Sequence, residues 1–383
     1  MTVQLMEFFE SRGHHVSVLV GSDDLKPEIR DYEVVPKKGG EHWRERLSRY
    51  KDSIERTRPD FVYTVSGIEE LDVLRFLQVP RASHIFSLER HRYVDVQELI
   101  RQVGPYVEIL TVNTMDVLEQ IDPRSIPQVK GMVVPYRLNG VFLDLPPIAQ
   151  AARQRDELEV CFVGRLETVQ KRVHWLPRII DECSKTGARF HWHIYGTGPA
   201  EALIVSDIKR QQNENFVHFH GWQDSASLAA GLRDHDIFFL CSQWEGLPVA
   251  MVEAMSCGLA CVVPCISPGI KFILAKGGGW TYDATSPEAA VKALTSAAKD
   301  PELLWRRRIE AQKVARAMFG DETVSRYLQA METAFSKTVF NGRFLNLSKG
   351  SKMQMTRFSN RVHRPLSRLF RRLIGRETSL DDI

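Results

Sequence analysis

The charged residues best placed to bind and move charge lie in a single run. It reads Ser242-Gln243-Trp244-Glu245-Gly246-Leu247-Pro248-Val249-Ala250-Met251-Val252-Glu253-Ala254-Met255-Ser256-Cys257-Gly258. The pattern predicts a helix starting at Pro248, with proline at the first helical position and Gly258 just past the end. The N-cap then falls on Leu247, whose side chain has no oxygen to accept the first orphan N–H groups. Those amides are left either to water or to an external anion such as pyrophosphate, which the helix dipole favours. Glu245 precedes this helix, and Glu253 lies about 7.5 Å further along its axis than Pro248. Neither carboxylate falls on a strongly polar face, so neither reads as an idle solvated charge.

Cations follow another apolar run, in Val163-Gly164-Arg165-Leu166-Glu167-Thr168-Val169-Gln170-Lys171-Arg172-Val173. Arg165 and Lys171 sit on a loop after a strand, where the mouth of a parallel sheet binds ligands. Placed there, they would neutralise charge on a leaving diphosphate. Tyr195-Gly196-Thr197-Gly198-Pro199 and His220-Gly221-Trp222 close two more strand ends, where glycine permits close backbone approach.

The elements that must position these groups are legible in the alternation of apolar runs with helical patterns. Runs at 15–20, 60–65, 108–112, 160–163, 191–195, 237–240 and 261–263 predict strands of parallel sheets built from βαβ units. A polar stretch between Leu143 and Glu157 separates two such sheets. Two Rossmann-like domains facing across a cleft are therefore expected. Residues 2–12 form an amphipathic helix ended by Gly13, yet no strand or Gly-rich turn precedes it. The first domain thus lacks its opening strand, which would leave a gap in the sheet or force its neighbours to pair. Either the true start lies upstream of Met1 or the domain is an altered one.

The ordered set Gly164-Arg165-Leu166 with Lys171, Gly196-x-Gly198-Pro199, Gly221, and Glu245-Gly246 followed by Glu253-Ala254-Met255-x-Cys257-Gly258 resembles the nucleotide-sugar half of family-4 retaining glycosyltransferases of the GT-B fold. The likeness covers about 150 to 320, and extends loosely to Arg12-Gly13-His14-x-Val16 and Val134-Pro135-x3-Asn139-Gly140-Val141. It implies an α/β GT-B chain with domains at 1–145 and 146–320. A helix at about 321–336 returns to complete the first, and a basic amphipathic tail spans 337–383. It further implies that Arg165 and Lys171 hold the donor diphosphate and stabilise its departure. Glu253 would bind the ribose and Glu245 would sit beside the donor sugar. Gly164, Gly196, Gly198 and the backbone of Gly246, Leu247, Pro248 and Val249 would line the phosphates and sugar, with Gly221 and Trp222 against the base. The resemblance implies retention by same-face attack, with no cofactor and no metal. The co-substrate would be a UDP- or GDP-type sugar, and the acceptor a glycan or lipid-linked sugar in cell-surface polysaccharide synthesis. Ser267-Pro268-Gly269-Ile270-Lys271 departs from the family's Gly-Gly-x-Pro-Glu pattern. The family's first-domain histidine has only His84 and His91 as loose matches. A non-catalytic relative used for binding or scaffolding is the alternative, favoured by the incomplete first domain.

Asp234-His235-Asp236 imitates a metal-binding DxD but precedes a strand, and turn chemistry accounts for it. His191-x-His193 and His218-x-His220 alternate along strands with no carboxylate at ligand spacing in sequence, so no metal is expected. The spacing of Cys257, Cys261 and Cys265 reads as core packing.

A chain of 383 residues with 43% hydrophobic and 26% charged residues is too ordinary for a disordered or fibrous protein. Six cysteines inside apolar stretches argue for a reducing cytoplasm, and no run of about 18 apolar residues predicts a membrane span. The net charge of +3 hides an asymmetry. Residues 337–376 carry 11 Lys or Arg and no acid, 377–383 carry −3, and 1–336 therefore carry −5. From 357 to 376, apolar residues at helical spacing face arginines, which suits the anionic inner face of a membrane. Nucleic acid has only electrostatics in its favour.

Overall fold

Each apolar run pairs with its neighbours because a strand with two buried faces leaves its N–H and C=O groups no partner but another strand. The computed structural model describes residues 2–20, 32–34, 43–57, 61–65, 81–85, 104–112, 129–148, 157–336, 339–340, 343–344 and 352–357, with positions 59, 118, 119, 122, 124 and 127. They fall into two compact units, one of 1–112, 118–133 and 328–383, the other of 113–117 and 134–327.

The first unit holds β1 (His15–Val20), β2 (Tyr32–Val34), β3 (Phe61–Val65), β4 (Arg81–Ile85), β5 (Ile109–Val112) and β6 (Lys130–Val133). The second holds β7 (Glu157–Val163), β8 (Arg189–Tyr195), β9 (Val217–Gly221), β10 (Ile237–Phe239), β11 (Ala260–Pro264) and β12 (Gly279–Tyr282). Near the C-terminus, β13 (Val339–Phe340) and β14 (Arg343–Phe344) make a small antiparallel pair, and β15 (Lys352–Arg357) follows.

The gap expected in the first sheet is filled. Its order is β2-β1-β15-β3-β4-β5-β6, every neighbouring pair parallel. β15 lies between β1 and β3, with Val18 opposite Met355 on one side and Met355 opposite Tyr63 on the other. It takes the interior place that an opening strand would hold, and both its edges are paired. The reading of 337–383 as a separate tail therefore needs correction at 352–357, which belong to the sheet. The helical stretch within 357–376 lies outside the described residues beyond Arg357.

The helix Thr2–Ser11 ends as expected before Gly13, whose φ of 87° only glycine adopts readily. Its face toward β1 buries Phe9, and Arg12 and His14 both meet Glu332 on the helix Asp321–Ser336. That contact keeps 328–336 with the first unit. Residues 134–145 belong to the second, not the first, because Leu138 and Phe142 are fully buried in its core. The amide of Leu138 also donates to the Phe319 carbonyl at 3.1 Å, and Ser256 Oγ donates to the Phe142 carbonyl at 2.5 Å. Of the separating stretch between 143 and 157, positions 149–156 lie outside the described residues.

The second sheet runs β12-β11-β10-β7-β8-β9, all parallel. Counted within the unit, this is the doubly wound Rossmann order, and its switch point lies between β7 and β10. β10 and β11 are buried at every residue, as strands covered on both faces must be.

Candidate functional site

The two charged loops emerge from β7 and β10, the strands that flank the switch point. After β7, Glu167 organises the loop by accepting the backbone N–H groups of Val169, Gln170 and Lys171, the last at 2.6 Å. Gln170 then ties this loop to the one after β10. Its carbonyl accepts from the Gln243 amide at 2.6 Å, and its side-chain amide donates to the Trp244 carbonyl at 3.3 Å. The result is an ion pair between Lys171 Nζ and Glu245 Oε1 at 2.6 Å, with the side chains 17% and 7% exposed. Ser242 Oγ donates to the same carboxylate oxygen, also at 2.6 Å. Two groups read separately from the sequence thus form one charge-assisted unit, with Ser242 an additional member. Ser242 lies three residues before Glu245, an offset that could have flagged it.

The loops after β7, β8 and β9 are stacked by backbone bonds. The amide of Gly164 donates to Tyr195 O, that of Leu166 to Thr197 O, and that of Gly196 to Gly221 O. A Cβ at Gly196 would stand 2.0 Å from the Gly164 carbonyl oxygen, and one at Gly198 would stand 2.3 Å from that of Leu166. These two glycines are therefore fixed by the neighbouring loop. Gly221 has φ +65° with open space around it, and Trp222 beside it is 74% exposed. Arg165 is exposed at the end of β7.

The helix after β10 runs from Val249 to Ser256, with Pro248 as its N-cap in extended conformation and no side-chain cap bond. The start is one residue later than expected, and Leu247 is buried instead of capping. The proline ψ of 104° keeps it out of the helix, yet the consequence expected of Leu247 holds for Pro248: no side-chain oxygen reaches the first amides. The Gly246 carbonyl accepts from Ser267 Oγ at 2.8 Å, and Ser267 caps the helix Pro268–Leu274. The departure at 267–271 thereby buttresses the loop that carries Glu245. Glu253 is half-buried on its helix beside Tyr136, whose phenol is pushed well up, first by burial and then by the Glu253 charge and hydrogen bond. Tyr136 was missed because it precedes the second sheet by some twenty residues.

Other expected features are structural. Asp236 pairs with buried Arg308 and accepts from the Glu159 amide, consistent with a turn. Of the three cysteines expected in the core, Cys257 and Cys261 are buried, the Cys257 thiol being pushed up to about 12 chiefly by burial, but Cys265, just past the end of β11, is exposed. His84 lies on β4, while His91 lies outside the described residues. No helix among the described residues is long and apolar enough to cross a membrane.

Residues 148–314 match the family model described as glycosyl transferases group 1. The chain is 32% identical over 146 residues to a protein of Escherichia coli (strain K12) named as the colanic acid biosynthesis glycosyltransferase WcaL. That alignment covers 36% of each protein, so the chain spans about a third of that relative's length. Among solved structures, sucrose-phosphate synthase of Thermosynechococcus elongatus superposes with a TM-score of 0.69 at 14% identity, over 86% of this chain and 91% of that one. Anabaena HepE, solved with UDP and glucose, gives 0.65 at 14% identity, over 87% and 94%. At such identities the likeness is one of fold, and that fold is GT-B.

Proposed function

We propose that the chain is a retaining glycosyltransferase that moves a sugar from a UDP- or GDP-type donor to a glycan or lipid-linked acceptor in cell-surface polysaccharide synthesis. The observation that carries this reading is the Lys171–Glu245 pair beside a helix start without a side-chain cap, at the switch point between β7 and β10. A cation, an anion-receptive helix terminus and a carboxylate converge where doubly wound sheets bind nucleotides. The family match over 148–314 and the names of the relatives agree with it.

In this reading Lys171 and Arg165 neutralise the diphosphate as the glycosidic bond to it breaks, and the amides at the helix start take its oxygens. Glu245 holds Lys171 in place and stands beside the departing sugar. Glu253, oriented by Tyr136, accepts the ribose hydroxyls. The acceptor oxygen attacks on the face the diphosphate leaves, within an ion pair, so configuration is retained. Side chains and backbone amides supply the positive charge, and no metal takes part. The basic residues up to 376 suit an anionic membrane surface, where a lipid-linked acceptor would lie.

The experiment is a thermal-shift screen against UDP, GDP, ADP and their sugar conjugates, repeated with Glu253→Ala. A rise with one nucleotide that disappears in the variant supports the reading. No rise with any would favour a scaffold.

A further inference from the structure

The strands β7, β8 and β9 carry a cluster that the donor site does not use. The sequence set the histidine pairs aside for want of a carboxylate, but the parallel pairing of β7 with β8 brings two. Glu157 Oε2 lies 2.9 Å from His191 Nε2, and Glu159 Oε2 lies 2.8 Å from His193 Nε2. His235, buried in the turn before β10, stacks on His193 with ring centroids 4.2 Å apart. One ligand atom from each of Glu159, His193 and His235 lies within 4.8 Å of the other two.

We propose that Glu159, His193 and His235 bind a divalent transition-metal ion of the Zn2+ type, at a site separate from the donor site. Two imidazoles and one carboxylate are a set that Zn2+ accepts, with water completing the shell. Bonds of about 2.0–2.2 Å would require the three ligand atoms to draw in by side-chain rotation. Each ring also has a partner for its other nitrogen: His193 Nδ1 lies 2.9 Å from His220 Nε2, and Tyr195 Oη lies 2.9 Å from His235 Nε2. Such contacts fix the orientation of ligating rings. Glu159 and His235 stand at the starts of β7 and β10, whereas Lys171 and Glu245 follow the ends of the same strands. The ion would therefore pin β7, β8 and the turn before β10 together without entering the glycosyl transfer.

The test is calorimetric titration of the chelator-stripped chain with ZnCl2, with Co2+ absorption as a second probe. One equivalent is expected, together with a melting temperature that rises with Zn2+ concentration. Glu159→Gln and His193→Gln should each weaken binding at least tenfold, while His191→Gln on the same face leaves it unchanged, with circular dichroism confirming that all three fold. Absence of saturable binding, unchanged affinity in Glu159→Gln and His193→Gln, or an equal loss in His191→Gln would overturn the site.

Discussion

Lys171 Nζ and Glu245 Oε1 lie 2.6 Å apart, an ion pair between the loop after β7 and the loop after β10 that Gln170 also ties together. The pair is largely buried, so the water that screens surface ion pairs is mostly absent around it. A diphosphate arriving at this point would share a cation already held in position. Preorganisation of this kind costs no rearrangement at the moment charge develops.

Lys171→Ala should therefore lower kcat by about 10²–10³-fold with a smaller change in KM, the pattern for a contact stronger in the transition state. Steady-state kinetics against the donor found by thermal shift is the check. Full turnover in the variant would remove Lys171 from the mechanism.

Tyr136→Phe removes a hydroxyl from Glu253 without changing shape. If Tyr136 only orients the carboxylate, nucleotide affinity should fall about 3–10-fold, the equivalent of one hydrogen bond, while kcat stays near that of the parent. Nucleotide titration calorimetry separates this from a general loss of fold.

Much of this site was legible because its cues are local. Arg165, Lys171 and Glu245 sit on loops at strand ends and Glu253 on the helix that follows, all placed by short-range patterns, and the runs at β1, β3, β5, β7, β8, β10 and β11 agree within a few residues, whereas β2, β4, β6, β12 and β15 are not among them. The helix start slipped from Pro248 to Val249 because proline fits both N-cap and first-turn backbone, and only ψ separates them. What could not be read depends on pairing across the fold. Ser267, Tyr136 and the carboxylate partners of the histidines come from segments whose adjacency is set by strand order. The occupant of the gap in the first sheet lies more than 330 residues from β1.

Gly196→Ala should destabilise the second unit by about 3 kcal/mol or more, because a Cβ would stand 2.0 Å from the Gly164 carbonyl oxygen in addition to the strain of φ +128°. Gly187→Ala isolates the backbone cost: its φ is +81° with nothing within 4 Å of a Cβ, and about 1–2 kcal/mol is expected. Urea denaturation midpoints at constant m-value compare the two.

Arg308 and Asp236 are each 5% exposed, and the guanidinium also donates to the carbonyls of Gly258 and His235. Arg308→Met leaves Asp236 as a buried charge without its cation and should cost about 3–5 kcal/mol. The double variant with Asp236→Asn should recover part of that loss, since no unpaired carboxylate remains. A double-mutant cycle by chemical denaturation measures the coupling.

The placement of β15 makes the sharpest prediction about the first unit. An interior strand donates backbone hydrogen bonds to one neighbour or the other along its whole length, and a proline within it removes a donor and clashes with the ladder. Met355 is the central residue of the segment paired with both Val18 and Tyr63. Met355→Pro should accordingly cost about 3 kcal/mol or more. The loss should be confined to the first unit, because the second sheet shares no strand with it. Hydrogen exchange reads this directly. Protection at β1 and β3 should fall while that at β7 and β10 is kept, and the amides of 353–357 should be protected in the parent chain. Fast exchange at 353–357 in the parent, or unchanged protection at β1 and β3 in the variant, would show that this segment does not hold the central place in the sheet.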